Sequence, residues 1–263
     1  MAEIAAKDVK ALRDATGAGM MDAKKALIES DGDFEAASQM LREKGLAKAA
    51  SRSDRDNVEG AIGLVADDRR AAIVHLKCET DFSAKSDGFL ALVDELTRAV
   101  LVEGEGAVEA RMSAIDDLRL AIKENIDVGR VSLIEAGEGN VLDTYLHVQD
   151  ARGVNGVVVE GSGVDQETLH QVALHIAFAK PTCLTRDEVS LDLVDKERAA
   201  LLDITKAEGK PEQAWDKIVE GRLAGWFRET VLLEQGLHGD KTSVADTLGG
   251  GSIERFAQAY LGA

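Results

Sequence analysis

Apolar residues recur at helical spacing from the first turns of the chain. Val9, Leu12 and Ala15 share the face of a first helix, which ends at Gly17, a residue able to adopt a left-handed stop. Met20, Ala23, Leu27 and Ile28 form the stripe of a second helix, closed by Asp31 and Gly32. A third, capped by Asp33, uses Phe34, Ala37 and Leu41 and is expected to stop at Gly45. The pattern predicts a three-helix unit over residues 1–46 and a linker over 47–57, where Lys48, Arg52, Asp54, Arg55 and Asp56 leave little to bury.

From Val58 the period shortens to two. Apolar runs at 60–65 and 71–76 flank Asp67, Asp68, Arg69 and Arg70, which predicts a β-hairpin. A polar loop, Glu79 to Lys85, then leads to a helix that starts near Asp87 and turns Phe89, Leu92, Val93, Leu96 and Val100 inward. Gly104 and Gly106 break it, and 107–125 reads as helical again, with Ile115, Leu118 and Ile122 spaced for burial. The same order then returns, with strands at 131–134, 141–148 and 154–159 and a helix capped by Asp165. Two helices split by Gly209, Lys210 and Pro211 predict a helical hairpin over about 188–235, in which Val194, Leu201 and Ile204 face Ile218, Leu223 and Phe227. A helix at 242–248 and a strand at 253–260 close the chain. The expected fold class is α+β, the three-helix unit preceding two related antiparallel-sheet-plus-helix subdomains, 58–135 and 136–263, with the hairpin inside the second.

Composition narrows what such a chain does. With 48 acidic against 31 basic residues the net charge is -17, the opposite of the basic footprint that tracks nucleic-acid phosphates. No apolar run reaches membrane-spanning length and the start has no signal-peptide pattern, so the expected compartment is the cytoplasm. Cys78 and Cys183 make neither a disulfide framework nor a metal cluster and are expected to be buried thiols. No nucleophile elbow, zinc-protease motif, phosphate loop or Cys-x-x-Cys is present, and His170 and His175, five apart, do not share a helix face as ligands would. No enzyme chemistry, metal or cofactor is expected.

Two stretches ask for a partner instead. Phe82 sits in the loop Glu79-Thr80-Asp81-Phe82-Ser83-Ala84-Lys85, where a turn would favour Gly, Asn or Ser. Read alone, the ring either folds back onto its own helix or is offered to another molecule. Met21 and the pair Lys24 and Lys25 fall on the flank of the second helix, an adaptable thioether beside cations. Thr80-Asp81-Phe82, Thr16-Gly17-Ala18-Gly19-Met20-Met21-Asp22 with Lys24-Lys25-Ala26-Leu27, and Gly209-Lys210-Pro211 followed by Lys217-Ile218-Val219-Glu220-Gly221-Arg222-Leu223 together resemble the translation elongation factor Ts family.

That resemblance implies a guanine-nucleotide exchange factor for elongation factor Tu, with an N-terminal fold like a ubiquitin-associated domain and a protruding coiled coil. It also implies roles. Phe82 wedges between partner helices near the Mg²⁺ side of the nucleotide site, Asp81 disturbs the network holding metal and phosphate, and Thr80 shapes the loop. Met20, Met21 and Lys24 grip the nucleotide-binding domain, and Ile122 and His147 contact the partner elsewhere. The chain departs from the family pattern at Ala23, where many members carry Cys, at Lys123, where relatives often carry Gly, and at Gln235-Gly236-Leu237-His238, which replaces a Gln-Pro-aromatic stretch. An adaptor for ubiquitin-like proteins is the alternative reading, and an enzyme with an unrecognised site a weaker one. Monomer and homodimer are both open.

Overall fold

A computed structural model describes residues 4–262 of the chain. The first three apolar stripes become α1 (Ala6–Thr16), α2 (Met20–Glu29) and α3 (Phe34–Ala50), packed around Val9, Leu12, Ala23, Leu27 and Leu41. Gly17 ends α1 at φ 64°, and the Asp33 carboxylate caps α3 by accepting the Ala36 amide. Two expectations fail here. Helix α3 does not stop at Gly45 but continues to Ala50, because that glycine is a crossing point: a Cβ on it would collide with Leu120 of α6 (Met112–Ile122). Met20 and Ile28 are exposed, as are Ala15 of α1 and Phe34 of α3, so the buried stripes are narrower than expected and that of α2 is Ala23, Ala26 and Leu27.

The first sheet is antiparallel with order β1 (Glu59–Ala66), β2 (Arg70–Cys78), β3 (Asp127–Glu135). On one face, Val74 and Leu76 meet Phe89, Leu92, Leu96 and Val100 of α5 (Asp87–Glu103), with Ile115 of α6 completing the layer. The segment between α5 and α6 is two short 3-10 turns rather than continuous helix. The second sheet has order β4 (Val141–Gln149), β5 (Arg152–Ser162), β6 (Ser252–Tyr260). Its outer face packs Val157 and Val159 on Leu169, Val172 and Ile176 of α7 (Gln166–Ala179), whose N-cap Asp165 accepts the Thr168 amide.

In each half a hairpin is followed by a helix, and a later strand returns beside the hairpin's second strand. The strand at 131–134 therefore belongs to β3 and pairs with β2, and the second sheet takes its third strand from the chain end. The two sheets lie face to face, joined by Ile62, Ile73, Ile134, Val158 and Ala257. Contact is so close that a Cβ on Gly153 of β5 would strike the Ile62 carbonyl. The order of layers is helix, sheet, sheet, helix.

Between α7 and β6 the chain leaves to form α8 (Leu191–Ala207) and α9 (Trp215–Thr230) and returns through α10 (Val244–Thr247). The base of this excursion is pinned where the Leu232 amide donates to the Cys183 carbonyl at 2.9 Å and Thr182 donates to Thr230 at 3.0 Å. Along it, Leu223 and Phe227 are buried with Val194 and Leu201 beside them. The buried neighbour one turn earlier is Val219 rather than Ile218, and Ile204 is half-exposed while Thr205 is buried, so two of the six expected facing positions are taken by the adjacent residue.

Candidate functional site

Strand β2 ends at Cys78, whose buried thiol is pushed up to about 12, chiefly by burial, and donates to the Thr80 carbonyl at 3.2 Å. Such a thiol is a packing group, not a nucleophile. Beyond it the chain forms not an open loop but one helical turn, α4 (Asp81–Ala84), with Thr80 as its N-cap. The Thr80 hydroxyl accepts the Ser83 amide at 3.3 Å and donates to the Glu124 carboxylate at 2.7 Å. Ala84 is fully buried, so the turn is rooted in the core by its last residue and turns its second outward. That residue is Phe82, 84% exposed. The ring does not fold back onto its own helix.

Asp81 beside it is half-buried and bonded to Lys85 at 2.8 Å. The Lys85 ammonium also reaches Asp150 at 3.0 Å, in the turn between β4 and β5. The Lys85 hydrogen bond is the main cause holding the Asp81 carboxyl below the usual range, and Asp81 and then Asp150 raise the Lys85 ammonium. With the Asp81 carboxyl lowered and the Lys85 ammonium raised, this pair is ionised at neutral pH, which suits an electrostatic contact and not a general base. Through Asp150 the exposed turn is tied to the second sheet. His147 lies three residues back along β4, about 10 Å by strand geometry, exposed and within 3.3 Å of the Tyr145 hydroxyl.

The remaining predicted residues stand on neighbouring elements. Ile122, the last residue of α6, is half-buried against the first core, and Lys123 after it takes the left-handed conformation at φ 66°. Lys123 Nζ donates to the Gly17 carbonyl at 3.4 Å, which brings the end of α6 to the loop before α2. On the first turns of α2, Met20 is 49% and Met21 74% exposed, and Lys24 is exposed with them. Sequence reasoning missed Lys85, Asp150 and Glu124 as partners of the exposed turn. Lys85 lies four residues from Asp81, a spacing that pairs side chains on a helix and was the available signal, whereas the contacts of Glu124 and Asp150 span tens of residues and leave none.

His175 and His170 are engaged in contacts within the second half of the chain. His175 Nδ1 accepts the His238 amide at 3.1 Å, which leaves Nε2 to donate to Gln235 Oε1 at 2.9 Å, and burial lowers its pKa. His170 Nδ1 lies 2.9 Å from Asp143. Among the described residues no group of three His, Cys, Asp or Glu side chains is placed to hold a metal, and no helix is long and apolar enough to cross a membrane.

Comparison with known proteins identifies the architecture. The family model described as elongation factor TS matches residues 79–262, beginning just before the exposed turn. The elongation factor Ts of Clavibacter michiganensis subsp. michiganensis is 43% identical over the whole of both chains. That of Cutibacterium acnes is 42% identical over 98% of this chain and 99% of its own, and that of Deinococcus radiodurans 38% over the same shares. The chain belongs to the elongation factor Ts family.

Proposed function

We infer that this chain is a guanine-nucleotide exchange factor: it binds elongation factor Tu, promotes GDP release and lets GTP rebind during translation elongation. The observation that carries the reading is identity near 40% with proteins named elongation factor Ts over essentially the whole chain. An adaptor or an enzyme would leave that full-length match unexplained. A nucleotide held by Mg²⁺ and phosphate contacts leaves without any bond being broken, provided the factor binds the empty protein more tightly than the loaded one. The factor needs no cofactor of its own, since GDP and Mg²⁺ belong to the partner, and its place of action is the cytoplasm, where translation proceeds.

Within this reading Phe82 is the wedge. Burying an exposed phenylalanine is worth about 2–3 kcal/mol, available only when the partner opens to admit it. Asp81, ionised beside it, repels the phosphate and competes for the metal's ligands. Thr80 holds the turn, Met20, Met21 and Lys24 grip the nucleotide-binding domain, and Ile122 and His147 meet the partner elsewhere. The first three helices, which run to Ala50 rather than ending by residue 46, act as a ubiquitin-associated-like domain, joined through the chain up to residue 57 to the core subdomains 58–135 and 136–263, and α8 with α9 forms a coiled-coil arm.

The experiment is to mix the chain with its own elongation factor Tu carrying fluorescent GDP and excess unlabelled nucleotide, and to follow release. Acceleration by catalytic amounts of the chain is expected. Release unchanged at micromolar chain would refute the reading.

A further inference from the structure

We propose that Glu124 is a positioning residue for nucleotide exchange: its carboxylate fixes the one-turn helix from which Asp81 and Phe82 project. The proposal rests on the exchange reading above.

A helix of four residues does not hold itself, because the unfavourable nucleation step is not offset by further turns. Something outside must fix α4, and one carboxylate gathers donors from the residues before it and from within it. Glu124 Oε2 accepts the backbone amides of Glu79 and Thr80, both at 3.1 Å. Oε1 accepts the hydroxyls of Thr80 at 2.7 Å and Ser83 at 2.6 Å. Four donors thus converge on two oxygens, and the residues they come from bracket Asp81 and Phe82 on both sides. Bonds to an ionised acceptor are the stronger kind.

Glu124 is itself held from both sides. Lys123 ends α6 with its amide on the Arg119 carbonyl at 3.0 Å. Asn125, 6% exposed, donates its amide to Glu79 Oε1 at 2.6 Å and its side-chain nitrogen to the carbonyls of Ser53 and Arg55 at 3.2 and 2.7 Å. Ile126 beyond it is fully buried, and its carbonyl accepts Arg119 Nε at 2.7 Å. The carboxylate is therefore delivered by a turn tied to α6, to the chain after α3 and to the start of the exposed turn. Ile122 stands at the head of the same turn, so two of the proposed contact patches share one support.

The test compares Glu124→Ala and Glu124→Gln with wild type in the full chain, titrated to saturation in the GDP-release assay. Loss of a supporting hydrogen-bond partner of this kind lowers function by roughly tenfold or more. Glu124→Ala is expected to lower the saturating rate by that factor while moving the half-saturating concentration little. Glu124→Gln is expected to recover most of it, since one oxygen still accepts the two amides while the new amine meets hydroxyls that can turn to accept. In a background carrying both Asp81→Ala and Phe82→Ala, Glu124→Ala should add almost nothing, because Glu124 acts through the placement of those two side chains. A merely structural residue would lower the melting temperature without this coupling. An unchanged saturating rate, or an effect of Glu124→Ala that persists in full in that double background, overturns the proposal. If Glu124→Ala does not fold, Ser83→Ala removes one of the four donors and must lower the saturating rate. Wild-type chain that leaves GDP release unchanged refutes the exchange reading instead. The positioning claim is then decided by hydrogen exchange at the Thr80 amide, which must lose protection in Glu124→Ala; retained protection overturns it.

Discussion

His75 follows Ile73 on the face of β2 turned toward the second sheet, and burial with Lys77 nearby lowers its pKa to about 4. Since the unfolded chain takes up the proton near 6.5, its folded form is disfavoured between those values: stability is full above about 6.5 and falls as pH drops toward 4. The whole effect is worth about 3 kcal/mol, of which about 2 kcal/mol is lost by pH 5. Asp81, with its pKa lowered, contributes stability that is lost only as pH falls through its depressed value, below the His75 window. Urea midpoints at pH 7 and pH 5 should separate strongly in wild type and less in His75→Gln. Equal separation in both would assign the acid sensitivity elsewhere. At this scale the sequence was legible where a residue broke a pattern. Phe82 in a polar turn and Met21 beside Lys24 stood out and are exposed. Met20 and Ile28 fitted the apolar stripe of α2 equally well, but in so small a unit α2 buries only Ala23, Ala26 and Leu27, and helical spacing alone does not reveal how wide the covered stripe is.

Helices with caps and strands with turns were legible as elements, since Asp33, Asp165, Gly17 and the Asp67 turn act on their immediate neighbours. The errors arose where a distant element decided. Gly45 reads as a stop until α6 is laid against it, and the partner of β3 is fixed by packing rather than by its own residues. The same contacts qualify the reading of 47–57 as a linker. Arg42 pairs with Asp117, Lys123 meets Gly17, and Asn125 holds the carbonyls of Ser53 and Arg55. A deletion that removes α1 to α3 should therefore end at residue 50, which spares the Asn125 anchors. With Met20, Met21 and Lys24 gone, the half-saturating concentration for GDP release should rise roughly tenfold or more, as the loss of an interface anchor does. The saturating rate should persist. A saturating rate that collapses with the deletion would mean these helices take part in expelling the nucleotide.

Across the whole molecule, two sheets back to back give the chain a rigid middle. The exposed turn is rooted in the first sheet by Ala84 and tied to the second through Lys85 and Asp150. The wedge proposed above would need such backing, because strain otherwise relaxes into the wedge's own support. The paired halves were legible in the sequence as a repeated order of hairpin and helix, but the face-to-face packing was not, since alternation marks a buried face without naming its cover. The central claim is that Asp81 and Phe82 expel the nucleotide while other contacts hold the partner. Phe82 is exposed and Asp81 belongs to a surface pair, so Asp81→Ala combined with Phe82→Ala should leave the fold intact. The direct measurement is to titrate this double variant and wild type to saturation against elongation factor Tu carrying fluorescent GDP. The account predicts that the double variant still binds but that its saturating release rate falls by roughly thirtyfold or more; a double variant that reaches the wild-type rate at high concentration would contradict it.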